Sequence, residues 1–372
     1  MQTHLHPLAA EDCPAAYQLQ SLHFGAAGSG RKVYIQASLH ADEVPAMLVA
    51  RSLKRELERL ECEGRLRGEV VLVPAANPIG LAQAIQGTPI GRFDLGSGAN
   101  FNRAFEHLAE ELKLTLEGKL GSDLDANVAL VRDHARRALA RMAPRTATEE
   151  LKKVLLLLAI DADIVLDLHC DNEAVMHMYT GTPLAGRMIP LAALLGAQAL
   201  LTTRESGGFP FDEACSRLWW ELAAHFGEAA PLRPACAAAT IELRGEMDVS
   251  YALADTDAGA ILQFLAHEGV LDIPKAPLPA LQCAPTPLEG VEPLHAPHSG
   301  VLVFHRKLGS RVAAGDAVAD IVNPVSGKET TLRAGAAGTL FASTAHRHLL
   351  RGMHVCKIAG ATAFRSGELL SQ

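Results

Sequence analysis

The stretch Val33-Tyr-Ile-Gln-Ala-Ser-Leu-His40-Ala-Asp-Glu43-Val-Pro45 decides how this chain is read. Residues 33–39 read as an apolar strand. Pro45 suits the first turn of a helix, where its missing N–H would have no partner anyway. Met47, Leu48, Leu53, Leu57 and Leu60 then keep roughly helical spacing among charged residues. Residues 69–75 form the next strand, which Asn77-Pro78 ends. Strand, helix and strand of these lengths make a parallel crossover unit, right-handed by a strong rule. His40 and Glu43 fall where strand turns to helix. There, three residues of spacing bring both side chains to one side of a metal.

The pattern continues outward from this unit. Residues 87–102 are rich in glycine and turn formers and read as a loop. Residues 106–160 read as a helical insertion. Strands are expected at 163–169, 174–180 and 236–243, with helices at 211–226 and near 255–268. This alternation predicts an α/β domain, with a mixed, mostly parallel sheet flanked by helices, over residues 1–271. Seven prolines between Pro274 and Pro297 predict a semi-rigid linker over 272–294. From 295 to 372 short strands alternate with glycines. That segment resembles the barrel-sandwich fold of biotinyl and lipoyl carrier domains. Lys328 sits in the hairpin between its halves but lacks the usual neighbouring methionine, so a capping or interaction module is expected.

Composition narrows the function. The chain has 372 residues, 49% hydrophobic and 20% charged, as ordinary globular proteins do. A net charge of −8 argues against a nucleic-acid partner, which needs cations to meet phosphates. The longest apolar run, 154–160, is too short to cross a membrane. The N-terminus shows no charged region followed by an apolar one. The seven cysteines, Cys13 among them, form no CxxC pair and are expected to be free thiols in a reducing cytosol. The oligomeric state is left open, a homo-oligomer included.

The chemistry-bearing residues lie at predicted strand ends, where open α/β sheets place their sites. An HxxE pair alone arises often by chance. His169 ends the strand Asp163-Ile-Val-Leu-Asp-Leu-His169 and adds a second imidazole. Two histidines and one carboxylate are the ligand set of a catalytic zinc, with a fourth position left for water. Asp167 shares the strand face with His169 and is expected to orient its ring. Its plainer reading is a strand-end carboxylate paired with a cation. Glu242, inside Thr240-Ile-Glu-Leu-Arg244, is a costly residue in an apolar strand unless paired or functional. It fits a general base; its plainer reading is an ion pair with Arg244. Arg204, in a loop that could cover a pocket, is a second candidate for holding an anion, or else a surface residue.

HxxE, Asn102-Arg103, Asp-Leu-His and Ile-Glu-Leu-Arg, in that order, resemble the zinc carboxypeptidase-like superfamily. The Asp-Leu-His form and the trailing β-module resemble its succinylglutamate desuccinylase/aspartoacylase branch. The resemblance covers about residues 30–270. It implies one Zn2+ per chain on His40, Glu43 and His169, with Glu242 as the base. It implies that Asn102 and Arg103 grip a substrate carboxylate. Arg92 matches the arginine that polarises the scissile carbonyl, or else is a solvated loop residue. The family's Asp-Leu-Asn-Arg reads Asn100-Phe-Asn-Arg103 here, so one acid is missing.

The expected function is therefore a cytoplasmic zinc deacylase. It would cleave the amide of a small anionic N-acyl amino acid or similar compound, a carbon–nitrogen bond other than a peptide bond. A metallocarboxypeptidase acting on peptides or cell-wall fragments is the alternative. A binding protein that has lost catalysis is the third reading, opposed by the presence of all three ligands and Glu242.

Overall fold

The computed structural model describes residues 1–8 and 16–370. A nine-stranded mixed sheet runs through the larger part. Its order is Gln2–Leu8, Tyr17–Phe24, Glu69–Val73, Lys32–Ala37, Ile164–Asp171, Ala237–Gly245, His177–Gly181, Ala199–Thr203 and Pro285–Pro287. The central strands Lys32–Ala37, Ile164–Asp171 and Ala237–Gly245 are neighbours and parallel. Their carboxyl ends therefore lie together, and these are the ends that hold His40, His169 and Glu242.

Period-two alternation sends each strand's side chains to two cores. Val33, Ile35, Leu166, Leu168, Ile241 and Leu243 face one side, where the helices Pro45–Cys62, Ala185–Leu195 and Tyr251–His267 cover them. Tyr34 and Val165 face the other, beneath the helices Ala109–Leu116, Leu124–Arg141, Ala147–Ala159 and Phe211–Phe226. Gln36, Asp167 and His169 share that second side in a register that puts Asp167 opposite Gln36. The predicted crossover helix begins at Pro45 as expected. The insertion is helical, forming three of the four helices on that second face.

Sequence reading missed five elements of the larger part. The N-terminal strands pair as an antiparallel hairpin at one sheet edge. A helix at Ala185–Leu195, which contains Pro190, leads to the strand Ala199–Thr203. Within the expected linker, Pro285–Pro287 adds a parallel strand at the other edge, and Leu288 and Val291 are buried.

The C-terminal strands form two antiparallel sheets around Leu302, Val318, Ile321, Leu340, Val355 and Ile358. One sheet continues across to the larger part, where Ala342 and Ser343 pair with Ala174 and Glu173. Val175, Leu201, Leu288, Val291 and Phe341 pack in the joint. That joint carries the C-terminal strands to the rim of the central cavity. Among the described residues no helix is long and apolar enough to cross a membrane.

Candidate metal centre and active-site cavity

Local geometry brings the His40 turn together before any long-range contact does. Ser38 takes a left-handed φ of 59°, and its hydroxyl donates to the Glu43 carbonyl at 3.0 Å. The Glu43 N–H donates to the His40 carbonyl at 3.2 Å, closing the turn so both side chains face one way. The 87–102 loop lies directly on this turn. A Cβ on Gly91 would sit 2.1 Å from the Asp42 nitrogen, so only glycine permits the approach. Asp42 accepts from the Gly91 N–H at 3.0 Å, which fixes where Arg92 leaves the loop.

His40, Glu43 and His169 converge. Their candidate donor atoms all lie within 4.8 Å of one another, and all three side chains are buried. His40 Nδ1 is 2.8 Å from Glu43 Oε1, and His169 Nδ1 is 2.7 Å from Glu43 Oε2. The rings meet edge to face at 5.0 Å.

The opposite ring nitrogens bear on the tautomers. Asn100 Oδ1 accepts from the Asn102 backbone N–H at 2.9 Å, so that atom is the amide oxygen. His40 Nε2, 3.0 Å from the same oxygen, must then be the protonated nitrogen. His169 Nε2 lies 3.0 Å from Asp167 Oδ2 and 3.4 Å from the Asn102 side-chain nitrogen; the nearby carboxylate favours a proton on Nε2. Asp167 Oδ1 in turn accepts from Gln36 Nε2 at 2.9 Å, and Gln36 Oε1 accepts from Tyr34 at 2.8 Å. Both Nδ1 atoms point at the Glu43 carboxylate, and with the ring protons on Nε2 both present lone pairs to it. Electron pairs meeting in this way need a positive charge between them, and the donor set fits a divalent ion such as zinc.

The electrostatics agree with the geometry. Burial alone would raise Glu43, but His40 and His169 hold its carboxyl well below the usual carboxylate range. Burial alone would depress His169, but Asp167 and Glu43 raise it well above its ordinary value. The site favours cationic charge, which a proton or a metal ion can supply.

Glu242 is the register partner of His169 on the adjacent strand. Its Oε2 is buried without a hydrogen-bond partner. Burial, then the charge of Glu43, pushes its carboxyl up to about 8. The competing ion pair with Arg244 is not what forms: Arg244 pairs with Asp257 on the other face of the sheet.

One cavity of about 480 Å³ contains the ligand set, Glu242, Arg92, Asn102 and Arg103. Arg92 Nη1 is 3.5 Å from Glu43 Oε1 and 3.3 Å from His40 Nδ1. The Asn102 side chain accepts from the Phe211 N–H at 2.9 Å, which anchors the start of that helix. Arg103 donates to the Asn102 carbonyl at 2.7 Å. Burial, then Arg92, lowers its pKa from the ordinary guanidinium value. Arg204 is exposed and does not line the cavity.

Sequence reading missed other residues of this site. Asn100 supplies the oxygen that orients His40. Lys357 and Arg365 reach the cavity from the C-terminal segment, with Lys357 Nζ 2.8 Å from Asp171. The Asn100-Phe-Asn-Arg103 departure from the family pattern was the one visible signal for Asn100. No local pattern marked the other two.

Residues 29–136 match a family model described as the succinylglutamate desuccinylase/aspartoacylase catalytic domain. No curated protein sequence matches the chain. A solved structure from Shewanella amazonensis SB2B, assigned to the succinylglutamate desuccinylase/aspartoacylase family, is similar at 26% identity and a TM-score of 0.83. The match covers 96% of this chain and 98% of that one. A second protein with that assignment, from Shewanella frigidimarina NCIMB 400, is 23% identical with a TM-score of 0.82, covering 96% and 97%. The product-bound ectoine utilization protein EutE (DoeB) from Ruegeria pomeroyi shares the fold at 16% identity and a TM-score of 0.67, covering 96% and 94%. The family read from the motifs is the one these comparisons return, and the likeness of fold includes the C-terminal β-sheets.

Proposed function

We propose that this chain is a zinc-dependent deacylase that hydrolyses the amide bond of an N-acyl amino acid or a similar small anionic amide. One observation carries this reading. Two imidazoles and a carboxylate converge, beside a buried glutamate whose Oε2 has no partner, in a cavity that also holds three arginines, Arg92, Arg103 and Arg365.

A zinc ion bound there would polarise the scissile carbonyl and acidify a water molecule. The chain's own residues do the rest. Asn100 and Asp167 hold the two imidazoles in the tautomer that presents Nδ1. Glu242 takes a proton from the attacking water and returns it to the departing amine. Burial raises this carboxyl above the ordinary carboxylate range, which favours its accepting a proton and returning it. Arg92, beside the ligand set, faces the oxygen that gains charge as the carbonyl is attacked. Arg103, with Asn102 beside it, holds the substrate carboxylate through a planar fork of donors.

The alternative is a carboxypeptidase with the same metal chemistry. His295, Lys357, Arg365 and Leu369, all from the C-terminal segment, line the cavity and form a wall on one side. A wall on that side supports a small substrate over an extended peptide. The six described cysteines are free thiols, which accords with a cytoplasmic enzyme; Cys13 lies outside the described residues.

A panel of N-acyl amino acids and short peptides, presented to zinc-loaded and chelated protein, tests the reading. Amine release from an N-acyl amino acid, lost on chelation and regained with zinc, is expected. Release of C-terminal residues from peptides alone would favour the carboxypeptidase.

A further inference from the structure

The strand that carries Glu242 departs from regular geometry immediately after it. Ile241 and Leu243 face the core beneath the Tyr251–His267 helix, while Glu242 faces the cavity. Simple alternation would return Arg244 to the Glu242 face, within reach of its carboxylate. The pairing with Ile164–Asp171 prevents this. Glu242 is opposite His169, but Gly245 is opposite Asp171, so one extra residue is accommodated as a bulge. Arg244 takes a left-handed φ of 67°, a conformation that side-chain-bearing residues rarely adopt.

The consequence is a guanidinium turned to the far face. Arg244 Nη1 donates to Asp257 Oδ1 at 3.3 Å, and Nη2 donates to Asp257 Oδ2. Asp257 is 3% exposed and sits on the Tyr251–His267 helix. Both residues line a small crevice with Pro45, Leu48 and Leu253, separate from the catalytic cavity. A strained backbone that persists at a site must be held there by its surroundings. The Asp257 carboxylate holds the side chain, while the Gly245 N–H donates to Asp248 at 2.9 Å and braces the backbone beside it.

We propose that Asp257 is a positioning residue: by holding the Arg244 guanidinium on the far face of the sheet, it keeps Glu242 unpaired and available to the substrate. Without this restraint the bulge relaxes and Arg244 swings to the Glu242 face. There it forms a two-pronged ion pair with the base and occupies its lone pairs. This inference rests on the reading of Glu242 as the base.

The experiment is steady-state kinetics on the best N-acyl amino acid of the panel, with zinc content and melting temperature measured for every variant. Asp257→Asn should lower kcat by about tenfold or more, a part of what a general base contributes, with KM and bound zinc unchanged. Asp257→Glu should keep most of the activity. The decisive variant is R244G/D257N. Glycine accepts the positive φ and brings no guanidinium, so the double variant should regain most of the lost kcat. If the pair were only a strut between helix and strand, the double variant would be no faster than Asp257→Asn, and that result overturns the proposal. Normal kcat in Asp257→Asn overturns it as well. Should Asp257→Asn fail to fold, R244G/D257N, which leaves no unpaired buried charge, carries the test through its own kcat. Glu242→Gln separates the two readings. An active Glu242→Gln removes the base assignment itself, whereas an inactive one beside a normal Asp257→Asn removes only the role of Asp257.

Discussion

His40 and Asn100, sixty residues apart, meet through a 3.0 Å hydrogen bond in which the ring Nε2 donates to the amide oxygen. That bond turns the other nitrogen of His40 toward Glu43 and His169. Asn100 stands where the related motif has an aspartate, and its oxygen does the orienting without adding a charge.

Removing this oxygen should loosen the ring and let the tautomer change. Asn100→Ala is expected to weaken metal binding roughly 10- to 100-fold, as is usual when a group that orients a ligand is lost. Asn100→Asp restores an acceptor and should retain most of the affinity. Competition with a chelator of known affinity measures both. Equal affinity in wild type and Asn100→Ala would show that the ring is held by other means.

Arg103 is expected to carry the contact to a substrate carboxylate. Losing a charge-assisted contact in a buried setting should cost about 2–4 kcal/mol, roughly 30- to 1000-fold in kcat/KM. Arg103→Lys keeps the charge but loses the fork, so it should recover only part. Kinetics on an N-acyl amino acid and its carboxamide give the comparison. If Arg103→Ala keeps the preference for the acid, another cation holds the carboxylate; Arg92, Lys357 and Arg365 share the cavity, whereas Arg204 does not.

His177 gives a pH dependence that is separable from catalysis. Its side chain is fully buried, opposite Glu242 across the strand pair, and Nδ1 lies 2.9 Å from the Val175 carbonyl. Burial pushes the ring down to about 4; Asp171 opposes the shift and Lys357 adds to it. The unfolded chain binds this proton near pH 6.5 and the native state does not. The stability contribution is therefore complete above about pH 6.5 and is lost as pH falls toward 4. Its size is up to about 3 kcal/mol, at 1.36 kcal/mol for each pH unit. Between pH 7 and pH 5, wild type should lose more melting temperature than His177→Asn. Equal losses would mean that the buried ring titrates normally.

The candidate metal ligands were legible because chemistry and topology coincide in short stretches. Val33–Leu39 announces a strand and is followed at once by His40, and Asp163–His169 announces a strand and ends on His169. Central parallel strands must then present those ends together. Glu242 was legible for the opposite reason, as an acid in a strand where an unpaired acid is costly. What stayed hidden depends on contacts distant in sequence. Lys357 reaches Asp171 across 186 residues, through a β-segment whose docking no local pattern specifies. The direction of Arg244 turns on a single bulge, which alternation alone predicts wrongly. Pro285–Pro287 looked like linker because prolines dominate it, yet a sheet edge accepts a strand in which two of the three residues lack an N–H.

The most direct test of the account is zinc stoichiometry, measured by elemental analysis of purified wild type and His169→Ala after equilibration with equal free zinc. One zinc per chain in the wild type and little in the variant is the expected result, with no loss of zinc in Glu242→Gln. Equal zinc in wild type and His169→Ala would contradict the assignment of His40, Glu43 and His169 as the metal centre.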